Sequence, residues 1–89
     1  MKHCTLDGAM LPTADAVYRA LAGAFGFPDY FGNNPDALWD ALTEYSGEPV
    51  EIVWRESQRS AARLGPDFDR IAAVLKRAAA DGRLVLRLL

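Results

Sequence analysis

The residues of this chain best placed to do chemistry are carboxylates. Asp36, Asp40 and Glu44 recur every fourth residue, and on an α-helix that spacing sets side chains in one row, each a turn above the last. Taking about 100° per residue from Asp36 puts Asp40 near 40°, Glu44 near 80°, Thr43 near −20° and Trp39 near −60°. The apolar residues Ala37, Leu38, Ala41 and Leu42 fill the opposite arc. Two carboxylates one turn apart can in principle act as a general acid and base or hold a divalent cation. An exposed helix face, however, provides neither the burial that would separate their pKa values nor oxygen ligands converging from several sides. The row is better suited to binding something cationic. Asp36 has a local explanation, since an anion in the first turn is favoured by the helix dipole. Asp40 has none: its i, i+4 pairing with Asp36 is repulsive, and Glu44 repeats the repulsion closer to the negative end of the dipole.

Other chemistry is sparse. His3 lies in a strand-like segment with no motif partner, and Cys4 reads as a small buried hydrophobe rather than a nucleophile. HExxH, CxxC, P-loop and GxGxxG patterns are all absent from the sequence, so neither a cofactor nor a metal is implied. Trp39 and Tyr30 flank the carboxylates. Trp39 can be a boundary tryptophan packed beside Leu42, and Tyr30 can pack on a sheet. Aromatic residues beside acids on a rim are also what anchors of protein interfaces look like.

Elements to hold these residues follow from turn chemistry and periodicity. Lys2–Leu6 is a short strand closed by Asp7-Gly8. Thr13 caps a helix over about 13–25, with Val17, Leu21, Ala24 and Phe25 at helical spacing and Gly26 as its stop. Residues 27–34, with one proline, one glycine and two asparagines, form a loop. Asn34-Pro35 is a cap followed by proline at the first helical position, opening a helix over about 35–45. A strand over Val50–Trp54, a short helix over Glu56–Leu64, a longer helix from Pro66 to Gly82 and a strand over Leu84–Leu88 complete the chain. The last strand, short and mostly apolar, reads as fully buried. The order β-α-α-β-α-α-β calls for a small parallel sheet with right-handed crossovers.

With 89 residues, 51% hydrophobic and 25% charged, the chain is one domain spanning 1–89 that forms a core without staples. A single cysteine excludes an internal disulfide. No apolar run is long enough for a membrane span, and the N-terminus has no apolar core of a signal peptide, so the expected compartment is the cytoplasm. The net charge of −2 conceals an asymmetry. Residues 20–54 carry six acids and no Lys or Arg, whereas residues 55–89 carry eight basic residues against four acids. Such a division concerns partners rather than fold, and it points away from nucleic acid towards a cationic partner.

The stretch Pro28-Asp29-Tyr30-Phe31-Gly32-Asn33-Asn34-Pro35-Asp36-Ala37-Leu38-Trp39-Asp40-Ala41-Leu42-Thr43 closely resembles the signature loop and helix of the barstar family, intracellular ribonuclease inhibitors. The likeness extends more weakly over the whole chain, including Val53-Trp54-Arg55 and the alanine-rich last helix. It implies an α/β fold with a three-stranded parallel sheet and four helices, and a monomeric inhibitor, not an enzyme, that plugs a secreted microbial, guanyl-preferring ribonuclease. The position matched by Asp40 would lie where a substrate phosphate sits. Those matched by Tyr30, Gly32, Asn34, Asp36, Trp39 and Thr43 would line the same surface. Tyr45 stands where the family has a tryptophan, and Glu44 replaces a glycine and adds charge. Arg77 stands at a position that is acidic in the family, which implies either a partner with an acid or a gap opposite it or a tilted docking. Two other functions compete: a related module neutralising a different cationic toxin or partner, and a small enzyme or cation-binding domain using Asp36 and Asp40.

Overall fold

A computed structural model describes residues 1–28 and 31–89. Its elements are β1 (Lys2–Asp7), α1 (Ala14–Phe25), α2 (Pro35–Glu44), β2 (Val50–Arg55), α3 (Ser57–Leu64), α4 (Pro66–Ala80) and β3 (Val85–Leu88). The three strands form one parallel sheet in the order β1-β2-β3, with Cys4 opposite Ile52 and Ile52 opposite Leu86. This is the α/β fold with four helices expected from the sequence, and each boundary lies within two residues of its expected place.

The signals that end each helix are local and visible in the hydrogen bonds. Thr13 Oγ1 accepts from the amide of Ala16 at 3.1 Å. Gly26 adopts φ 73° and donates its amide to the Ala22 carbonyl at 2.8 Å, a left-handed stop that a side chain would resist. Asn34 Oδ1 accepts from the Ala37 amide at 2.8 Å, and Pro35 follows at the first turn of α2. Gly8 is required by close approach: a Cβ there would lie 2.2 Å from the Glu56 carbonyl oxygen.

Alternation along the strands separates the two sheet faces. Cys4, Leu6, Val50, Ile52 and Trp54 are buried with Val17, Leu21, Phe25, Leu38, Leu42, Ile71 and Leu75 in one core. At the alternate positions, His3, Thr5, Val85 and Arg87 are exposed and Glu51 and Val53 are half-buried. Two right-handed crossovers that advance in the same direction put their helices on one side of a sheet, leaving the other open. Trp54 is fully buried; its indole Nε1–H donates to Ser60 Oγ at 2.9 Å, and Phe68 meets its ring edge-on at 5.0 Å.

β3 corrects one expectation. The apolar run predicts a buried strand over Leu84–Leu88, yet Val85 is 42% and Leu88 37% exposed, and only Leu84 is buried. The reason is topological: β2 occupies the centre of the sheet and β3 pairs on one side only, while the residues of its outward face, Val85 and Arg87, are exposed. An apolar run cannot distinguish a central strand from an edge strand.

Candidate protein-binding surface

α2 positions most of the candidate residues. Its apolar stripe docks Leu38 and Leu42 into the core, and the helix packs on α4. Turning that stripe inward turns Asp36, Asp40 and Glu44 outward, and all three are exposed. None of their carboxylates has a hydrogen-bond or ion-pair partner among the described residues. Thr43 is half-buried, its hydroxyl donating to the Asp40 carbonyl oxygen at 2.8 Å.

Trp39 is half-buried and packs against the core, while the guanidinium carbon of Arg77 lies 3.9 Å from its ring centroid. The tryptophan is thus both a boundary residue and part of the surface flanking Asp40, and Arg77 is a cation held in place beside it. A second arginine reaches α2 from the same side of the fold. Arg83 donates to the Thr43 carbonyl at 3.3 Å and to Asp81 at 2.8 Å, supplying the cation that the last turn of α2 lacks in sequence.

The preceding loop is braced at several points. Asn34 spends its side-chain oxygen on the helix cap. Gly32 is half-buried, and a Cβ there would come within 3.1 Å of Asn34 Nδ2 and 3.5 Å of the Ala37 methyl. Asn33 Nδ2 reaches Asp15 Oδ1 of α1 at 3.5 Å. Tyr45, just past α2, is half-buried; its hydroxyl donates to the Glu48 carbonyl and its ring meets Phe25 edge-on at 5.0 Å. Tyr30 lies outside the described residues.

Between the end of α1, the loop and the flank of α2 lies an open cleft of about 420 Å³. Phe25, Phe27, Phe31 and Tyr45 line it on one side and Ala37, Asp40, Ala41 and Glu44 on the other. The phenylalanines did not stand out in the sequence as surface features. Their only signal is aromatic density, four Phe or Tyr residues in 25–31 interrupted by Gly26 and Pro28. Arg77 and Arg83 were likewise not expected to touch α2, since both lie more than thirty residues away along the chain.

The arrangement offers unpaired anions at a helix surface, a fixed aromatic beside them, and cations confined to the flank and the C-terminal end. Chemically it can compete for cationic groups. Among known proteins, the sequence model of the family described as Barstar (barnase inhibitor) matches residues 1–87. The chain is also 32% identical over 78 residues to the Bacillus subtilis (strain 168) protein named "Putative ribonuclease inhibitor YrdF", covering 88% of this chain and 86% of that one. With both the fold and the sequence in agreement over nearly its whole length, this chain belongs to the barstar family.

Proposed function

We propose that this protein inhibits a secreted, guanyl-preferring microbial ribonuclease by covering its active site with α2 and the loop before it. The observation that carries this reading is the exposed row of Asp36, Asp40 and Glu44, whose carboxylates have no partner among the described residues. An enzyme that cleaves RNA must hold a phosphate with Arg, Lys or His, and a row of carboxylates competes for those groups. Asp40, central in the row, takes the phosphate position. Trp39, Thr43, Asp36 and Glu44 surround it on α2, and Tyr30, Gly32, Asn34 and Tyr45 complete the surface from the flanking loops. The carboxylates act by binding and not by catalysis, and the free protein is a monomer in the cytoplasm of a cell that exports the enzyme. In that setting its role is protection before export.

Arg77 refines the choice of partner. Stacked on Trp39, it stands as a fixed positive charge beside the acidic row. A partner ringed entirely by basic residues would be repelled there, which favours a ribonuclease whose basic centre is bordered on that side by an acidic or neutral group.

The test is inhibition of RNA cleavage by a purified secreted guanyl-preferring ribonuclease titrated with the protein. Activity should fall to background at one equivalent, and Asp40→Ala should relieve the inhibition. Cleavage unaffected by an equimolar amount across secreted ribonucleases of the source organism would overturn the proposal.

A further inference from the structure

We propose that the sheet face turned away from the helices recognises a second copy of this chain, which docks on it antiparallel about a two-fold axis to form a weak dimer. The pairing concerns the opposite side of the molecule from α2 and does not rest on the inhibitor reading.

Every helix reaches the same side of the sheet. Val17 of α1, Leu38 of α2 and Ile71 of α4 share the core with Leu6, Ile52 and Trp54, and Ser60 of α3 accepts the Trp54 indole N–H. The intervening strand positions point the other way, and the register arranges them in rows. His3, Glu51 and Val85 form the first row, and Thr5, Val53 and Arg87 the second. Asp7 and Arg55 form the third. Leu89 extends it, since its amide continues the ladder to the Trp54 carbonyl at 2.9 Å. None of these residues is buried.

Charge selects how two such faces can meet. An isologous pair of sheets has its two-fold axis either along the strands or across them. An axis along β2 would lay Glu51 on Glu51 and Arg55 on Arg55 of the second copy, like charges in the middle of the contact. An axis across the strands, through the second row, exchanges the first and third rows. Glu51 then faces Arg55 of the second copy, His3 faces Asp7 and Val85 faces Leu89, each contact being made twice. Val53 meets its twin at the centre. Arg87 also meets its twin, but at the sheet edge, where a long side chain can turn its head to water. Twisted sheets stack about 10 Å apart and rotated by about 30°, which leaves the Glu51 and Arg55 side chains within reach of each other.

The face is small. Three strands about 4.8 Å apart, seven residues long at about 3.3 Å each, cover roughly 300 Å² in plan. A standard interface takes about 800 Å² from each partner, so the dissociation constant should be on the order of 0.1–1 mM. Dilute protein is therefore monomeric, and pairing sets in where the chain accumulates. Because α2 lies across the core from this face, both copies keep the row of Asp36, Asp40 and Glu44 uncovered.

The experiment is sedimentation equilibrium of the intact protein from about 10 μM to about 2 mM, paired with NMR spectra over the same range. The average mass should rise from 9.8 kDa towards twice that value. Concentration-dependent shifts should centre on the methyls of Val53, Val85 and Leu89 and spare the amides of α2. Higher ionic strength should weaken the pairing several-fold. Glu51→Arg turns two attractive pairs into two repulsive ones and should weaken it roughly tenfold, as should Arg55→Glu. The double variant restores opposite charges across the axis and should recover the pairing, which damage to the fold would not allow. Asp40→Asn, on the far side, should change nothing. An unchanged mass up to the highest concentration, shifts centred on α2, or a double variant that pairs no better than the single ones would overturn the proposal.

Discussion

Asp40 is where stability and binding pull in opposite directions. In the free protein its carboxylate has like charges one turn away on both sides and no partner among the described residues. Asp40→Ala should therefore relieve roughly 0.2–0.5 kcal/mol of repulsion per like-charge pair and gain helix propensity as well. In the proposed complex the same group meets a desolvated cationic site. Truncating one member of such a hydrogen-bonded charge pair costs roughly 2–5 kcal/mol, a general range to which the barstar–ribonuclease pair is itself a contributing case. Thermal unfolding of the variant should be unchanged or slightly raised while inhibition is lost; a drop in both would make Asp40 a structural residue. Trp39 behaves differently, because it is half-buried against the core and Arg77 covers its ring. A double-mutant cycle between Trp39→Ala and Arg77→Ala should return a coupling of about 0.5–1 kcal/mol in unfolding, the size of an exposed cation–π contact. A coupling of zero would mean that the stacked arrangement is not held in solution.

At the scale of elements, α2 depends on both of its ends. Asn34 satisfies an otherwise orphaned amide at the first turn, and Arg83 reaches the Thr43 carbonyl at the last. Asn34→Ala should destabilise the protein by about 1 kcal/mol, with Asn34→Gly costing only a few tenths. Chemical denaturation of the three proteins checks this order, and equal losses for Ala and Gly would show that the side-chain cap is not what holds the helix start. Arg83 shows how tertiary structure completes a helix whose own sequence places Glu44 at its negative end. β3 gives the complementary lesson: strand type was readable from composition, but strand position in the sheet was not.

The molecule as a whole has a sign division that outlasts any single contact. With six acids and no bases between residues 20 and 54, association with a cationic ribonuclease should be electrostatically steered. Its rate constant should fall steeply between low and physiological salt while dissociation changes little. Stopped-flow association across ionic strengths tests this, and a salt-independent rate would remove the acidic segment from the encounter. The core has its own pH signature. Burial pushes the Cys4 thiol above its ordinary value of 9.0. Burial first, then the charges of Asp67 and Asp15 against an opposing Arg70, push the Tyr18 hydroxyl above 10.0. Both groups keep their protons longer when folded, so the unfolded chain deprotonates first as pH rises. The stability tied to them is complete below the ordinary values and is lost progressively above about pH 9. Denaturation from pH 7 to 11 should show this alkaline fall, and Cys4→Ala should flatten its first part. A native-state thiol that alkylates as fast as a free cysteine would contradict the burial.

Signals confined to a few neighbouring residues were legible in the sequence alone. Thr13, Gly26 and Asn34-Pro35 act within one turn of themselves, so the bounds of α1 and the start of α2 could be read directly. The periodicity of Leu38 and Leu42 likewise determined which side of α2 would face solvent, and with it the exposure of Asp36, Asp40 and Glu44. What required the tertiary structure were the meetings of residues distant along the chain. Arg77 over Trp39, Arg83 on the end of α2, and the cleft that Phe25, Phe27 and Phe31 make with Ala37 and Ala41 have no fixed spacing to betray them. Nor did the exposure of β3, which depends on its place at the sheet edge. Local hydrogen-bonding geometry is carried by adjacent residues and survives in the sequence. Proximity across the fold is set by how the helices pack on the sheet, and only the folded chain decides it.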